Sequence, residues 1–228
     1  MLKNPFRGMR RREWIIWLIS LSAVLVSNLL TGNVEPVTLI ATAVGVTALI
    51  FIARGDVWGQ ILTVIFALLY SAASLRFQYY GEIITYLGMT APIAAASVVT
   101  WLKNPYKKGE NEVKIARLSP RSVMLLIAST LTVTILFYFI LQAIGTANLI
   151  VSTISITTSF LASALMMMRN SYYAVAYAAN DVVLIVLWIL ATLEDVSYLP
   201  MVVNFLAFLV NDIYGFVSWK RREKKQMR

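Results

Sequence analysis

The sequence predicts an all-α membrane protein that crosses the bilayer eight times. Three observations support this fold class: 59% of the 228 residues are hydrophobic, only 14% are charged, and the apolar residues occur in long runs. A soluble domain would be roughly 45–50% apolar and about 25% charged. A helical span needs about 20 mostly apolar residues, which is the length of these runs.

The helices follow from apolar runs that end at charged or turn residues. The first run begins at Trp14 and Trp17, where an interfacial aromatic belt is expected, and the fourth contains Pro92, a candidate hinge. The breaks between runs fall, in chain order, at Glu35, Arg54, Arg76, residues 102–121, residues 145–147, Arg169 and Glu194. The predicted spans are 14–31, 36–53, 57–76, 79–101, 122–144, 148–168, 172–193 and 197–219.

Basic residues are concentrated outside these spans. Of the 20 Lys and Arg residues, five lie within 1–13, six within 102–121 and six within 220–228, against 11 acidic residues in the whole chain. We interpret 1–13 and 220–228 as cytoplasmic basic tails and 102–121, which carries Pro105 and Gly109, as a cytoplasmic loop. No folded polar domain accompanies the basic residues, so we predict contact with the lipid bilayer and no nucleic-acid partner.

The orientation follows from the rule that Lys and Arg accumulate in short cytoplasmic loops. With the N-terminus inside and eight spans, every basic residue except Arg76 lies on the cytoplasmic side. Seven spans would place one basic end outside. We therefore predict a multi-pass protein with both termini in the cytoplasm.

A weak internal repeat divides the chain. An offset of 118 residues aligns Tyr80 with Tyr198 and Trp101 with Trp219. Two groups of three helices then run in the same direction, joined by one linker helix. The predicted parts are an extra N-terminal helix (14–31), a first three-helix repeat (36–101), the linker helix (122–144) and a second three-helix repeat (148–219). Parallel repeats around a site near the midplane are typical of transporters.

Candidate ligand contacts in the second repeat lie mainly on the seventh helix. Tyr177, Asp181 and Trp188 are spaced by four and seven residues and share one face, with Asn180 beside them. The rings could stack on a flat ligand while Asn180 and Asp181 form hydrogen bonds. An unpartnered aspartate at a helix centre costs roughly 2.5–3.5 kcal/mol, which makes Asp181 the strongest functional candidate.

The eighth helix adds Asn204 and Asn211, seven residues apart, as further candidates. An equally good interpretation of Asn204 is that it joins two helices by a hydrogen bond. Asp212 follows directly, and pairing with Arg169, hydration and ligand contact all remain open for it.

The first repeat supplies a parallel set of candidates: Trp58, Gln60, Tyr70 and Tyr86. Gln60 can both donate and accept hydrogen bonds, which suits a carboxamide. A polar residue near the cytoplasmic end of a span is the alternative interpretation. The run Met166–Met168 is more typical of a lipid-facing or core segment.

The composition excludes several enzyme classes. The chain has no cysteine and no histidine, so disulfides, thiolate ligands and the usual general base and zinc ligand are missing. An intramembrane aspartyl protease would need Asp181 and Asp212 to face each other, and neither follows a Gly-x-Gly sequence. There is also no Gly-x-x-x-x-Gly-Lys phosphate loop. We predict no enzymatic activity, no catalytic residues, no metal site and no cofactor.

Several segments resemble the PnuC family of bacterial vitamin transporters, over nearly the whole chain. They are Tyr79–Glu82 (YYGE), Thr158–Ser163 (TSFLAS), Tyr172–Asp181 (YYAVAYAAND) and Asn211–Trp219 (NDIYGFVSW). The resemblance implies a SWEET-like fold of two parallel three-helix bundles in a bacterial cell membrane, often as a homotrimer. It also implies uptake of nicotinamide riboside by facilitated diffusion, followed by trapping through a cytosolic kinase.

The resemblance also bears on the site. The family places a tryptophan four residues before an asparagine or aspartate that contacts the nicotinamide, and these positions are Tyr177 and Asp181 here. Many relatives carry glutamine where Ser163 stands, and related branches carry thiamine, riboflavin or deoxynucleosides.

From the residues and the resemblance together we predict a uniporter for nicotinamide riboside, a precursor of NAD. The alternatives are a transporter of thiamine or of another vitamin or nucleoside, and a membrane receptor or scaffold that binds without transport.

Overall fold

The computed structural model describes residues 2–30, 36–76, 80–146 and 148–227. Within them, eight helices are long and apolar enough to cross a membrane, which confirms the predicted all-α polytopic fold. The helices are α1 (Arg11–Leu30), α2 (Pro36–Ala53), α3 (Val57–Arg76), α4 (Tyr80–Thr85), α5 (Ala91–Lys103), α6 (Pro120–Ala143), α7 (Leu149–Met167), α8 (Tyr173–Glu194) and α9 (Leu199–Gln226).

α4 and α5 belong to a single crossing, joined by a π-helical turn over Tyr86–Thr90. The N–H of Ala91 donates to the carbonyl of Tyr86, five residues earlier. Pro92 explains the wide turn, because it lacks an N–H and its ring clashes with the carbonyl four residues earlier.

The described helix ends differ from the sequence-based spans by a few residues, except at α9. The predicted ends at residues 31 and 79 lie outside the described residues. α9 continues to Gln226, seven residues past the predicted span, so most of the segment 220–228 is helical. Apolar content marks the part of a helix inside the bilayer, whereas Lys, Arg, Glu and Gln extend the helix beyond it.

We call the end of the bundle where α1 begins and α9 ends the terminal end, and the opposite end the distal end. α2–α5 and α7–α9 form two three-helix units, with α1 packed on α2 and α9, and α6 packed on α7. The units meet where α2 packs on α9 and where α5 packs on α7. The first helix of each unit therefore contacts the last helix of the other.

Two tryptophans hold these contacts at the terminal end. The Trp101 indole on α5 donates to the carbonyl of Met166 on α7 (3.1 Å). The Trp219 indole on α9 donates to the carbonyl of Ile52 on α2 (2.8 Å). The two rings lie 5.5 Å apart and are at most 1% exposed. The tryptophans that the sequence aligns between the repeats thus cross-link the two units.

The connection between α5 and α6 reinforces the same end. The Val113 N–H donates to the carbonyl of Gly55, in the turn between α2 and α3. The Ala116 N–H donates to the carbonyl of Arg169, in the corresponding turn between α7 and α8. Val113 is 1% exposed and packs in the same cluster as Trp101. This segment is therefore anchored to both units rather than being a free surface loop.

The contribution of the tryptophan hydrogen bonds can be measured with Trp101→Phe and Trp219→Phe. Each substitution removes one buried hydrogen bond and is expected to lower the free energy of unfolding by about 1–2 kcal/mol. The measurement is the apparent melting temperature in detergent. Trp14→Phe, at a residue that is 36% exposed, is the matched control. An equal shift in the control and in Trp219→Phe would contradict the assignment.

Candidate functional site

A cavity of about 500 Å³ lies between the two three-helix units. At the distal end it reaches Asn148 and Glu194, which are exposed. Its inner end is formed by Gln60, Met166 and Asp212, all at most 4% exposed. Pockets that bind small organic molecules have volumes of about 300–1,000 Å³, so the cavity can hold such a ligand.

Aromatic rings from both units line this cavity. In the first unit, the rings of Tyr70 and Tyr86 lie 4.6 Å apart, and Phe66 packs edge-on against Tyr86 at 5.6 Å. In the second unit, Trp188 lies 5.6 Å from Tyr198. Tyr86 is the first residue of the π-helical turn, and π-helical turns are frequent at functional sites. The arrangement presents flat surfaces on which a ligand ring can stack.

Neutral polar groups of the cavity are held in place by neighbouring helices. The side-chain oxygen of Asn180 on α8 accepts a hydrogen bond from Thr158 on α7 (2.8 Å), which directs the other end of the amide away from α7. The hydroxyls of Tyr177 and Ser163 are 2.7 Å apart. The Gln60 amide donates to the sulfur of Met166, across the two units.

Two carboxyl groups lie at the inner part of the cavity. Asp181 on α8 and Asp212 on α9 are 2% and 4% exposed, and their side chains hydrogen-bond to each other. Among the described residues, Oδ2 of Asp181 has no hydrogen-bond partner. The charged residues that line the described cavity are Asp181, Asp212 and Glu194, all of them acidic. The site is therefore suited to a ligand that carries positive charge.

Seven of the ten residues predicted to contact a ligand line this cavity: Gln60, Tyr70, Tyr86, Tyr177, Asn180, Asp181 and Trp188. They come from α3, the π-helical turn and α8, which are distant in sequence. Ligand contact itself remains a prediction for all of them.

The other three predicted residues lie elsewhere. The Trp58 indole donates to the carbonyl of Lys3 at the terminal end (3.0 Å). The Asn211 amide donates to Ser20 on α1 (2.8 Å), so this residue joins two helices. Asn204 is buried but lies away from the cavity lining. The spacing of seven residues places Asn204 and Asn211 on one face of α9. The packing of α1 against α9 decides what Asn211 contacts.

The structure adds cavity residues that the sequence did not select. The sequence is compatible with three interpretations of Asp212: pairing with Arg169, hydration and ligand contact. Arg169, its suggested partner, instead donates to the carbonyl of Lys114. The spacing of Phe205, Phe208 and Asp212, which all line the cavity, follows one helix face and could have indicated this position. Met166, interpreted as a lipid-facing or core residue, is also part of the lining.

A cavity between two packed three-helix units of a multi-pass membrane protein is typical of transporters. The family described as nicotinamide mononucleotide transporter matches residues 35–221. The chain therefore belongs to this family, the PnuC family of membrane transporters.

Relatives and one solved structure agree with this assignment. The chain is 24% identical to the nicotinamide riboside transporter PnuC of Neisseria mucosa, over 82% of this chain and 72% of the relative. It is also 24% identical to the protein of the same name from Haemophilus influenzae, over 79% and 77% of the two chains. A crystal structure of the vitamin B3 transporter PnuC superposes with a TM-score of 0.81 at 22% identity, covering 97% of this chain and 95% of that one.

The shape of the aromatic wall can be tested at Gly45, which lines the cavity. A Cβ atom at this position would lie 3.1 Å from the Phe66 ring. The ring can shift into the cavity, so Gly45→Ala should leave stability nearly unchanged. A bound ligand would oppose that shift, and the overpacking is expected to weaken binding by about 1 kcal/mol, roughly fivefold.

The measurement is isothermal titration calorimetry with nicotinamide riboside, the substrate named for the relatives. Gly88→Ala is the matched control, since a Cβ there would have nothing within 4 Å among the described residues. The assignment fails if both variants bind with wild-type affinity.

Proposed function

We propose that this protein imports nicotinamide riboside by facilitated diffusion. The names of the relatives support this substrate, and the acidic, aromatic cavity supports it independently. Nicotinamide riboside joins a cationic pyridinium ring, a carboxamide and a ribose. Each of these parts has a chemically matched group in the cavity.

The charge of the cavity lining carries the proposal. Asp181 and Asp212 pair at the inner part of the cavity, and one ionised carboxylate of this pair is enough to supply a negative charge. One negative charge in a site of low polarity attracts the single positive charge of the pyridinium ring. A mononucleotide carries an additional phosphate, which acidic residues repel. The cavity therefore favours the riboside over the mononucleotide, although the family's description refers to the latter.

The neutral groups account for the rest of the ligand. Tyr177 and Trp188 present rings for stacking, and Asn180 and Gln60 offer amides for the carboxamide and the ribose. Tyr70 and Tyr86 form the facing wall. We leave Trp58, Asn204 and Asn211 out of the proposed site because of their positions.

The role of the carboxyl pair is tested by the double variant Asp181→Asn/Asp212→Asn, because Asp212 would retain the negative charge in Asp181→Asn alone. Loss of this charge should remove about 1.5–3 kcal/mol of binding free energy, roughly tenfold to a hundredfold in affinity for nicotinamide riboside. The reduced, uncharged form of the same riboside should lose much less. Both affinities are measured by calorimetry on purified protein.

Glu110→Gln, at an exposed residue in the connection between α5 and α6, is the control and should bind as wild type. An equal loss for the charged and uncharged ribosides in the double variant would contradict the electrostatic role. Tighter binding of the mononucleotide than of the riboside by wild-type protein would contradict the proposed substrate.

Transport itself is tested in liposomes loaded with a riboside kinase and ATP. The proposal requires that the phosphorylated riboside accumulates inside. Accumulation of thiamine phosphate, with a thiamine kinase inside, would identify the alternative cationic vitamin. Binding without accumulation of either would identify a receptor or scaffold. In this proposal the chain has no enzymatic activity, and the cytosolic kinase supplies the trapping step.

The proposed orientation places the terminal end in the cytoplasm of a bacterial cell, because the basic residues lie there. We further propose a homo-oligomer such as a trimer, since the family resemblance implies one.

The orientation can be tested with introduced cysteines, because the chain has none of its own. Lys108 and Val196 are exposed at the terminal and distal ends, respectively. A membrane-impermeant maleimide should label Val196→Cys in intact cells and Lys108→Cys only after permeabilisation. The reverse pattern would overturn the proposed orientation, and transport activity of both variants controls for correct folding.

A further inference from the structure

A second cavity lies at the terminal end, between α1 and α9. It has a volume of about 420 Å³ and is lined by Arg10, Arg11, Arg12, Tyr214 and Arg221. The four guanidinium groups come from the start of α1 and from the last turns of α9. They belong neither to the cavity between the two three-helix units, which we call the transport cavity, nor to the tryptophan contacts.

The positive charge of this cavity is not balanced by nearby acids. Glu13 is the acidic residue next to the cluster, and it is 2% exposed. Its carboxylate accepts hydrogen bonds from the Arg10 backbone N–H (2.7 Å) and the Tyr214 hydroxyl (3.2 Å), and lies 3.6 Å from the Arg54 side chain. In the described part of the chain, none of the four guanidinium groups of the cavity forms an ion pair.

Apolar side chains extend from this cavity along both helices. Ile15, Leu18 and Ile19 on α1 are 47–64% exposed, and Val210, Ile213 and Val217 on α9 are 40–56% exposed. Ile15 lies one turn beyond Arg11, and Val217 lies one turn before Arg221, so each stripe begins at the arginines. The basic cavity thus lies at the level of lipid headgroups, with apolar surface running from it toward the bilayer centre.

We infer that this cavity binds the phosphate of an anionic phospholipid. Guanidinium groups match phosphate oxygens in charge and in bidentate geometry, and basic clusters at the end of a span attract anionic lipids. A soluble phosphate ester would use only the arginines. A phospholipid also places its acyl chains on the two exposed apolar stripes, which is why we assign the site to a lipid.

The experiment is native mass spectrometry of the full chain released from nanodiscs made of equal parts phosphatidylglycerol and phosphatidylcholine. Wild-type protein should retain phosphatidylglycerol in preference to phosphatidylcholine. R12Q/R221Q should lower the retained phosphatidylglycerol by roughly tenfold to thirtyfold, because two basic contacts are lost. R12K/R221K preserves the charge but not the bidentate geometry, and should give an intermediate loss.

R117Q/R121Q is the matched control, because it removes two exposed arginines of the terminal end that lie outside this cavity. It should retain phosphatidylglycerol as the wild type does. Equal losses in the control and in R12Q/R221Q, or equal retention of both lipids by wild type, would overturn the inference. Displacement of the lipid by millimolar glycerol 3-phosphate would also overturn it, by identifying a site for soluble phosphate. None of these outcomes depends on the transported substrate.

Discussion

The crossed hydrogen bonds of Trp101 and Trp219 are the constraint on which the arrangement of this bundle depends. Each indole reaches from the last helix of one three-helix unit to a main-chain carbonyl on the first helix of the other. Hydrophobic burial contributes little to helix association within lipid, so close packing and interhelical hydrogen bonds gain importance. The two bonds, buried side by side, close the bundle at the terminal end. The units can then separate toward the distal end, and the transport cavity occupies that space.

The anchoring of the connection between α5 and α6 belongs to the same closure. Its backbone bonds to the turns at Gly55 and Arg169, which occupy matching positions in the two units. Arg222 and Gln226, on the extended end of α9, both reach Glu112 in this connection. Release of a ligand on this side would require the tryptophan contacts and these turns to rearrange together. The helical extension of α9 beyond the bilayer is thereby part of the structure that closes the cavity.

The interior of the cavity has to meet two opposing requirements: it buries carboxyl groups, and it must leave them able to attract a ligand. Buried carboxyl groups are unfavourable unless they are paired or hydrogen-bonded, and in the described part of the chain Asp181 and Asp212 meet this condition by bonding to each other. Oδ2 of Asp181 is buried and has no hydrogen-bond partner among the described residues. Under the proposed function, the aromatic rings that line the same cavity lower its polarity and strengthen the attraction of the pair for a cation. Under the proposed function, these residues supply the affinity for a charged, flat ligand, although a buried carboxyl group is unfavourable in a membrane protein on its own.

The amino-acid sequence determined the number of crossings, the placement of the basic residues and the membership of Tyr177, Asn180, Asp181 and Trp188 in one candidate face. These features follow from the transfer of each helix into lipid and from helical periodicity. Both depend only on residues that are close together in the chain. The aligned positions of Trp101 and Trp219 were also visible, but not that each tryptophan bonds to the opposite unit.

Only the tertiary structure decided which polar face meets a cavity and which meets another helix. Asn211, like Asp181, was selected from the spacing of polar residues along one helix. It nevertheless bonds to Ser20, because α1 packs against α9. Asp212, one residue further, turns toward α8 and completes the carboxyl pair. Val113 belongs to the polar connection between α5 and α6, yet its side chain is buried. Contacts between residues distant in sequence depend on how helices rotate and pack against each other, and a local pattern of apolar and polar residues does not specify that rotation.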